Sequence, residues 1–247
     1  MSGQLVDDRR GELTVALSEI HRRIRAACAA VGRDPAEVRL LAVTKTFPAR
    51  DVALLADLGV SDVAEARDQE AVPKLAQAAE LRPQAPLRWH MVGRLQRNKA
   101  RSVARWAAQV QSVDSLRLAD ALDLAARAAQ QAGARDGPLG VLVQLSLGGD
   151  ASRGGVARSE LDALADRVAD APALRLQGLM AIAPLGADPG AAFAGLAAAA
   201  QRLRRRHPAA VELSAGMSGD LEQAIAHGST CVRVGTALLG RRPITSP

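Results

Sequence analysis

A lysine at the end of an apolar run is the first residue in this chain that could do covalent chemistry. Residues 40–48 read LLAVTKTFP, so Lys45 closes a short buried-strand pattern and lies three residues before a proline. Only three of the 32 basic residues are lysine: Lys45, Lys74 and Lys99. Arginine stays protonated, whereas a desolvated lysine can lose its proton and attack a carbonyl. Position alone also fits a solvated strand-end amine, so the weight of the reading depends on what else gathers nearby.

Two loops near the C-terminus offer a cradle for an anion. Residues 214–220 read SAGMSGD and residues 233–236 read RVGT. Ser214, Ser218 and Thr236 bring hydroxyls, with Met217 beside Ser218. Gly216, Gly219 and Gly235 allow close backbone approach. Ser218 opens a predicted helix, where free N–H groups favour negative charge. Each loop alone could be an ordinary turn; together they point to phosphate. His90 sits at a predicted strand end, as a base, a cofactor contact or a structural hydrogen-bonding residue. His21, His207 and His227 read as surface residues. Gln96, Asn98 and Lys99 fit either the mouth of a site or a solvated helix start.

The elements that would position these residues alternate regularly. Leu13, Leu17, Ile20, Ile24, Ala27 and Val31 recur at helical spacing, which predicts a helix over about 4–31. Strands are predicted at about 39–45, 60–64, 87–92, 109–113, 139–147, 174–180, 210–213 and 231–234. Helices are predicted at 48–58, 68–81 (through Pro73), 97–107, from an Asp114 cap to Gly133, and then at 158–169, 188–206 and 218–227. Asp34 and Pro35 start a brief helical turn. Eight strands alternating with helices specify a (β/α)8 TIM barrel over about 39–240 within a single domain, 1–247. An open doubly wound sheet in two halves is the alternative, but no Pro- or Ser-rich linker divides the chain. In a barrel, Lys45, His90 and both loops fall at strand C-terminal ends, the face where ligands bind, and loops after strands seven and eight commonly take phosphate.

Composition narrows the function classes. At 247 residues and 48% apolar the chain can fill a sizeable core, and with 2% aromatics and no tyrosine that core is mostly Ala, Leu and Val. A net charge of +6 and a pI near 10.5 could serve nucleic acid or an anionic ligand. The charge is spread along the chain, and the aromatics that stack bases are nearly absent. The arginines at 202–206 fall in the last turn of a predicted helix and suit its dipole. Cys28 and Cys231 read as buried thiols rather than a disulfide or metal site. No G-x-G-x-x-G follows a strand, and the Gly-rich loop 148–155 lacks a P-loop ending. The polar start MSGQLVDDRRG and the lack of a long apolar run predict a cytoplasmic protein with no membrane contact. A monomer is expected.

An amine for a carbonyl and a cradle for a phosphate across the barrel mouth fit one ligand, pyridoxal 5′-phosphate (PLP), with Arg233 facing its pyridine nitrogen. At these residues the chain resembles the YggS/PROSC family of PLP homeostasis proteins. The matching stretches are LLAVTKTFP (40–48), WHMVGRLQRNK (89–99), LRLQGLMAI (174–182) and ELSAGMSGDLEQAIAHGSTCVRVGTALLG (212–240). The resemblance covers nearly the whole chain. It implies a barrel with an N-terminal helix, similar to the barrel half of alanine racemase (PLP fold type III). It implies Lys45 as the Schiff-base lysine, phosphate held by Ser214, Ser218, Gly235 and Thr236, and Arg233 at the pyridine nitrogen. It also implies PLP carriage or delivery to PLP-requiring apoenzymes without an established catalytic activity.

Two departures stand out. The family's usual Phe-Gly-Glu-Asn reads VAEA at 63–66, and its Asn and Lys-Ser-Gly after strand five become Ser146 and Arg153-Gly154-Gly155. The alternative reading is a PLP-dependent racemase. It needs a second base; alanine racemase uses a tyrosine, and this chain has none. A protonated Arg233 would also leave the pyridine nitrogen a weak electron sink.

Overall fold

The computed structural model describes residues 2–148 and 154–241, with side chains from residue 8 onward. Eight parallel strands run β1 (Arg39–Val43), β2 (Asp62–Glu65), β3 (Arg88–Met91), β4 (Gln109–Val113), β5 (Leu139–Gln144), β6 (Leu174–Met180), β7 (Glu212–Ser214) and β8 (Cys231–Val234). Each pairs with the next, and β8 returns to β1 with Leu41 opposite Arg233, so the sheet closes into the expected (β/α)8 barrel.

Helices cover the outside in the predicted alternation: α1 (Ser2–Ala30), α2 (Ala49–Asp57), α3 (Asp68–Leu81), α4 (Ala100–Trp106), α5 (Leu116–Gln131), α6 (Leu161–Ala169), α7 (Pro189–Arg206), α8 (Leu221–Ala226) and α9 (Thr236–Leu239). Helix α7 shows its sequence logic plainly. Asp188 accepts from the N–H groups of Gly190 and Ala191, Pro189 fills the first position, and Arg204, Arg205 and Arg206 sit at the negative end. Helix α3 continues through Pro73. The predicted segment 97–107 divides into a 3-10 turn, Arg97–Lys99, followed by α4. Asp114 does not cap α5, because Ser115 occupies that position without a side-chain cap bond. Residues 149–153 of the Gly-rich loop, with Arg153, lie outside the described residues.

Helix α1 packs through Leu13, Leu17, Ile20 and Ile24, all buried, each worth about 1.5–3 kcal/mol in burial. Arginines of α1, and Arg33 just after it, then fix the last turns of the barrel. Arg9 pairs with Asp51 and donates to the Leu239 carbonyl, Arg23 forks onto Glu222, and Arg33 donates to the carbonyls of Ile225 and Ser229. The loops that carry residues 214–220 and 235–236 are thereby held from outside.

The layer between strands and helices is the expected Ala, Leu and Val, with Phe193 its largest fully buried side chain. The barrel's own interior differs: its N-terminal half is a hydrogen-bonded polar network. Asp62 accepts from Arg88 (2.6 Å) and lies 2.8 Å from His90 Nε2, with Arg39 at 3.5 Å. Arg39 also pairs with Glu212, which takes a bond from Gln109 at 2.7 Å. Burial alone would raise the pKa of Asp62, but the bonds from His90 and Arg88 outweigh it and bring it down to about 2. An apolar layer of Leu41, Ala64 and Cys231 lies above, packed by Val43 and Val92. No helix among the described residues is long and apolar enough to cross a membrane.

Candidate functional site

Above that apolar layer, on the C-terminal face, a cavity of about 460 Å³ opens. Such a volume suits a small cofactor. Lys45, Met217, Ser218, Arg233, Gly235 and Thr236 all line it. Ala66, where the family's Asn is replaced, also lines it, and Phe47, Gly93, Arg94, Gln144 and Ile182 complete much of the wall and were not anticipated from the sequence. Because β8 neighbours β1, the lysine and the 235–236 loop come from adjacent strands rather than from opposite sides of the mouth.

Lys45 is presented by a tight turn. The Thr44 carbonyl accepts from the Phe47 N–H at 3.0 Å, with Lys45 and Thr46 as the central residues. Thr46 has φ of 68°, the left-handed region in which this third turn position normally carries Gly or Asn. A β-branched residue there stores about 1–3 kcal/mol of strain and must be held by its surroundings. The hold is visible. Lys74 Nζ donates to the same Thr44 carbonyl at 2.8 Å and to Glu65 Oε1 at 2.7 Å, and the Thr44 hydroxyl donates to that same oxygen at 2.6 Å. Burial pushes the Glu65 carboxyl above the usual carboxylate range, with the bonds from Lys74 and Thr44 pulling against it.

One signal alone pointed to this clamp: Lys74 is also a rare lysine in an arginine-rich chain. Its buried amine is engaged, and Lys99 lies at another cavity, so Lys45 is the lysine that faces this one.

The two Gly-containing loops are built to come close. Gly216 has φ of 90°, and a Cβ there would lie 2.7 Å from that of Ala224, so only glycine lets α8 pack under the loop. Met217 N–H donates to Asp220, and α8 begins at Leu221 rather than 218. Ser218 therefore precedes the helix instead of opening it. Its Oγ accepts from the Ala237 N–H at 3.2 Å, which joins the two loops and leaves the hydroxyl proton for another acceptor.

Arg233 is buried and fixed by bonds to Ser214 Oγ and the Ala181 carbonyl, both at 2.8 Å. Burial pulls its pKa downward.

Two expected site residues do not reach the cavity. Ser214, fully buried at the end of β7, donates to Gln111 Oε1 (2.7 Å) and accepts from Arg233, so it supports the guanidinium from below. His90 is a correction of larger consequence. It points into the barrel, where Nε2 meets Asp62 at 2.8 Å and Nδ1 meets Gln109 Oε1 at 3.0 Å. Both ring nitrogens are engaged with barrel-interior side chains, which fits a structural hydrogen-bonding residue and not a base at the mouth. Strand alternation decides this: His90 shares the inward face with Asp62 and Gln109, one layer below the mouth.

Among the described residues, the cavity wall carries three cations, Lys45, Arg94 and Arg233, two hydroxyls and no carboxylate. One amine beside an anion-favouring cradle is the donor set that a phosphorylated aldehyde requires, so the residues present fit PLP.

Comparisons with known proteins agree with that fit. The profile of the family described as "Alanine racemase, N-terminal domain" matches residues 15–243. A pyridoxal phosphate homeostasis protein of Mycobacterium leprae is 49% identical over 98% of both chains. That of Mycobacterium tuberculosis is 51% identical over 97% of this chain and 96% of its own. This chain belongs to the pyridoxal phosphate homeostasis protein family. Among solved structures, PipY of Synechococcus elongatus with PLP bound is 34% identical, with a TM-score of 0.75 over 88% of this chain and 100% of that one.

Within a pyridoxal phosphate homeostasis protein, the VAEA stretch now has a place. Glu65 belongs to the clamp under Lys45, and Ala66 stands at the cavity wall, where the longer Asn would project. Gly93 passes so close to Ala66 that an added Cβ would lie 2.0 Å from its carbonyl oxygen.

Proposed function

We propose that this protein binds pyridoxal 5′-phosphate in the Lys45 cavity and serves in PLP homeostasis, holding the cofactor for PLP-requiring apoenzymes. The observation that carries this reading is that Lys45 is the one lysine at a cavity also walled by Ser218, Gly219, Gly235 and Thr236. When bound, the cofactor would supply an aldehyde, and Lys45 would be the residue whose amine holds it covalently. Ser218 and Thr236 donate their hydroxyls to the phosphate, and the glycines expose backbone N–H groups to it. Arg233, fixed from below by Ser214, would be the residue that meets the pyridine nitrogen. Donation from a guanidinium leaves that nitrogen unprotonated, a poor sink for electrons. Among the described residues, the cavity wall carries no His, Asp or Glu to work opposite Lys45. Both features support holding over turnover. The protein acts as a monomer in the cytoplasm.

Borohydride reduction of the PLP-loaded protein followed by peptide mapping tests the reading. The cofactor mass is expected on the peptide carrying Lys45, with loss of the visible absorbance band. Mass on Lys74 or Lys99 instead would overturn it.

A further inference from the structure

A second, larger cavity of about 1110 Å³ opens on the same barrel face, between the start of α3, the loop after β3 and the start of α5. It shares Ala66 and Arg94 with the Lys45 cavity, so the two are contiguous. Its walls carry Arg94, Arg97, Lys99 and Arg117, and none of these makes an ion pair or side-chain hydrogen bond among the described residues. Elsewhere, many arginines of this chain are matched to carboxylates: Arg9, Arg22, Arg23, Arg82 and Arg127 all are.

Two acids also line the basin. Asp68 accepts from Ser102 Oγ (2.8 Å) and Trp106 Nε1 (3.0 Å), and it and Asp114 together do not balance the four cations. Cations converging on one concavity raise its potential and gather small anions there. Guanidinium forks match phosphate oxygens, and an ammonium adds a point charge.

We propose that this basin is a second phosphate site, which takes the phosphate group of a small phosphate monoester. Resting on the PLP reading above, its role is to hold the cofactor's phosphate on the way into or out of the Lys45 cavity through the wall at Ala66 and Arg94. An open basin of this size fits a small ester better than the broad face a protein partner would need, about 800 Å² per side. The stretch RLQRNK, ambiguous as sequence between a site mouth and a solvated helix start, thereby becomes a wall of the site.

The test uses protein whose Lys45 has been blocked by borohydride reduction of the bound cofactor. Pyridoxine 5′-phosphate has the phosphate but no aldehyde, and is titrated into this protein by calorimetry. One further equivalent per chain is expected, displaced by inorganic phosphate but not by pyridoxine. Binding should weaken roughly tenfold or more in the double variant Arg97→Gln/Arg117→Gln, as loss of charged hydrogen bonds predicts. Both side chains are exposed, so its thermal transition should match the parent. Absence of a second equivalent, or equal binding in the double variant, would overturn the proposal. Failure of Lys45 to label falls on the cofactor reading instead. The basin is then read on unmodified protein, where pyridoxine 5′-phosphate should protect Lys99 from acylation; no protection overturns it.

Discussion

Lys74 Nζ donates at 2.8 Å to the carbonyl of Thr44, the residue that begins the turn presenting Lys45. The same amine pairs with Glu65, and all three groups are buried. Removing one partner of a buried ion pair leaves an uncompensated charge and costs about 3–5 kcal/mol. Lys74→Met should therefore lower unfolding free energy by about that amount, measured by urea denaturation. Lys74→Met/Glu65→Met should recover most of it, since an apolar pair has no charge to strand. If the single variant is as stable as the parent, the clamp is not holding the turn.

The cradle makes its own prediction. Ser218 and Thr236 would each give a charged hydrogen bond worth about 1.5–3 kcal/mol. Ser218→Ala/Thr236→Ala should weaken PLP strongly and pyridoxal, which lacks the phosphate, far less. Paired dissociation constants for the two ligands check this. Equal losses would move the phosphate elsewhere.

The polar barrel interior should show in acid stability. Asp62 has a folded-state pKa of about 2 against an ordinary 3.8. A depressed carboxyl contributes stability that is present above its unfolded pKa and lost as pH falls through its folded pKa. The window is therefore from about pH 4 down to about pH 2, and the gain above it is about 2 kcal/mol. Asp62→Asn should lie below the parent by roughly that amount near neutral pH, with the gap closing across the same window. A gap independent of pH would assign the loss to packing rather than charge.

What was legible in the sequence follows from which information is local. Strands β4, β6 and β8 coincide with their predicted spans, because a short apolar run bounded by polar residues needs no partner to be recognised. The predicted fifth strand overran, since Leu145 makes only an isolated bridge to Val156 after the ladder ends at Gln144. The residues assigned by loop chemistry, Lys45, Ser218, Gly235 and Thr236, reach one cavity because loops after barrel strands share a face. Those at strand ends were harder: whether His90 or Ser214 faces the mouth or the layer below depends on register between strands far apart in sequence. Lys74 was hidden for the same reason. On α3 it reads as a solvated charge until Glu65, from a different element, is placed beneath it.

The position of His90 also decides the case of racemisation. A racemase removes the α-proton on one face and returns it on the other, so a second base must stand opposite the lysine. The chain has no tyrosine, and His90 was the one nearby substitute visible in the sequence. Its imidazole instead spans Asp62 and Gln109 inside the barrel, and among the described residues no His and no carboxylate lines the Lys45 cavity. PLP-loaded protein incubated with L- or D-alanine in deuterated water should then show no inversion approaching enzymatic rates, roughly 1 s⁻¹. Slow exchange of the α-hydrogen with retention is compatible with Lys45 working on one face alone. His90→Ala should lower stability, because Asp62 loses a buried partner, yet leave that exchange rate unchanged once cofactor occupancy is matched. Inversion at enzymatic rates would require a base from outside the described cavity wall, and its disappearance in His90→Ala would show that the histidine leaves its network during turnover.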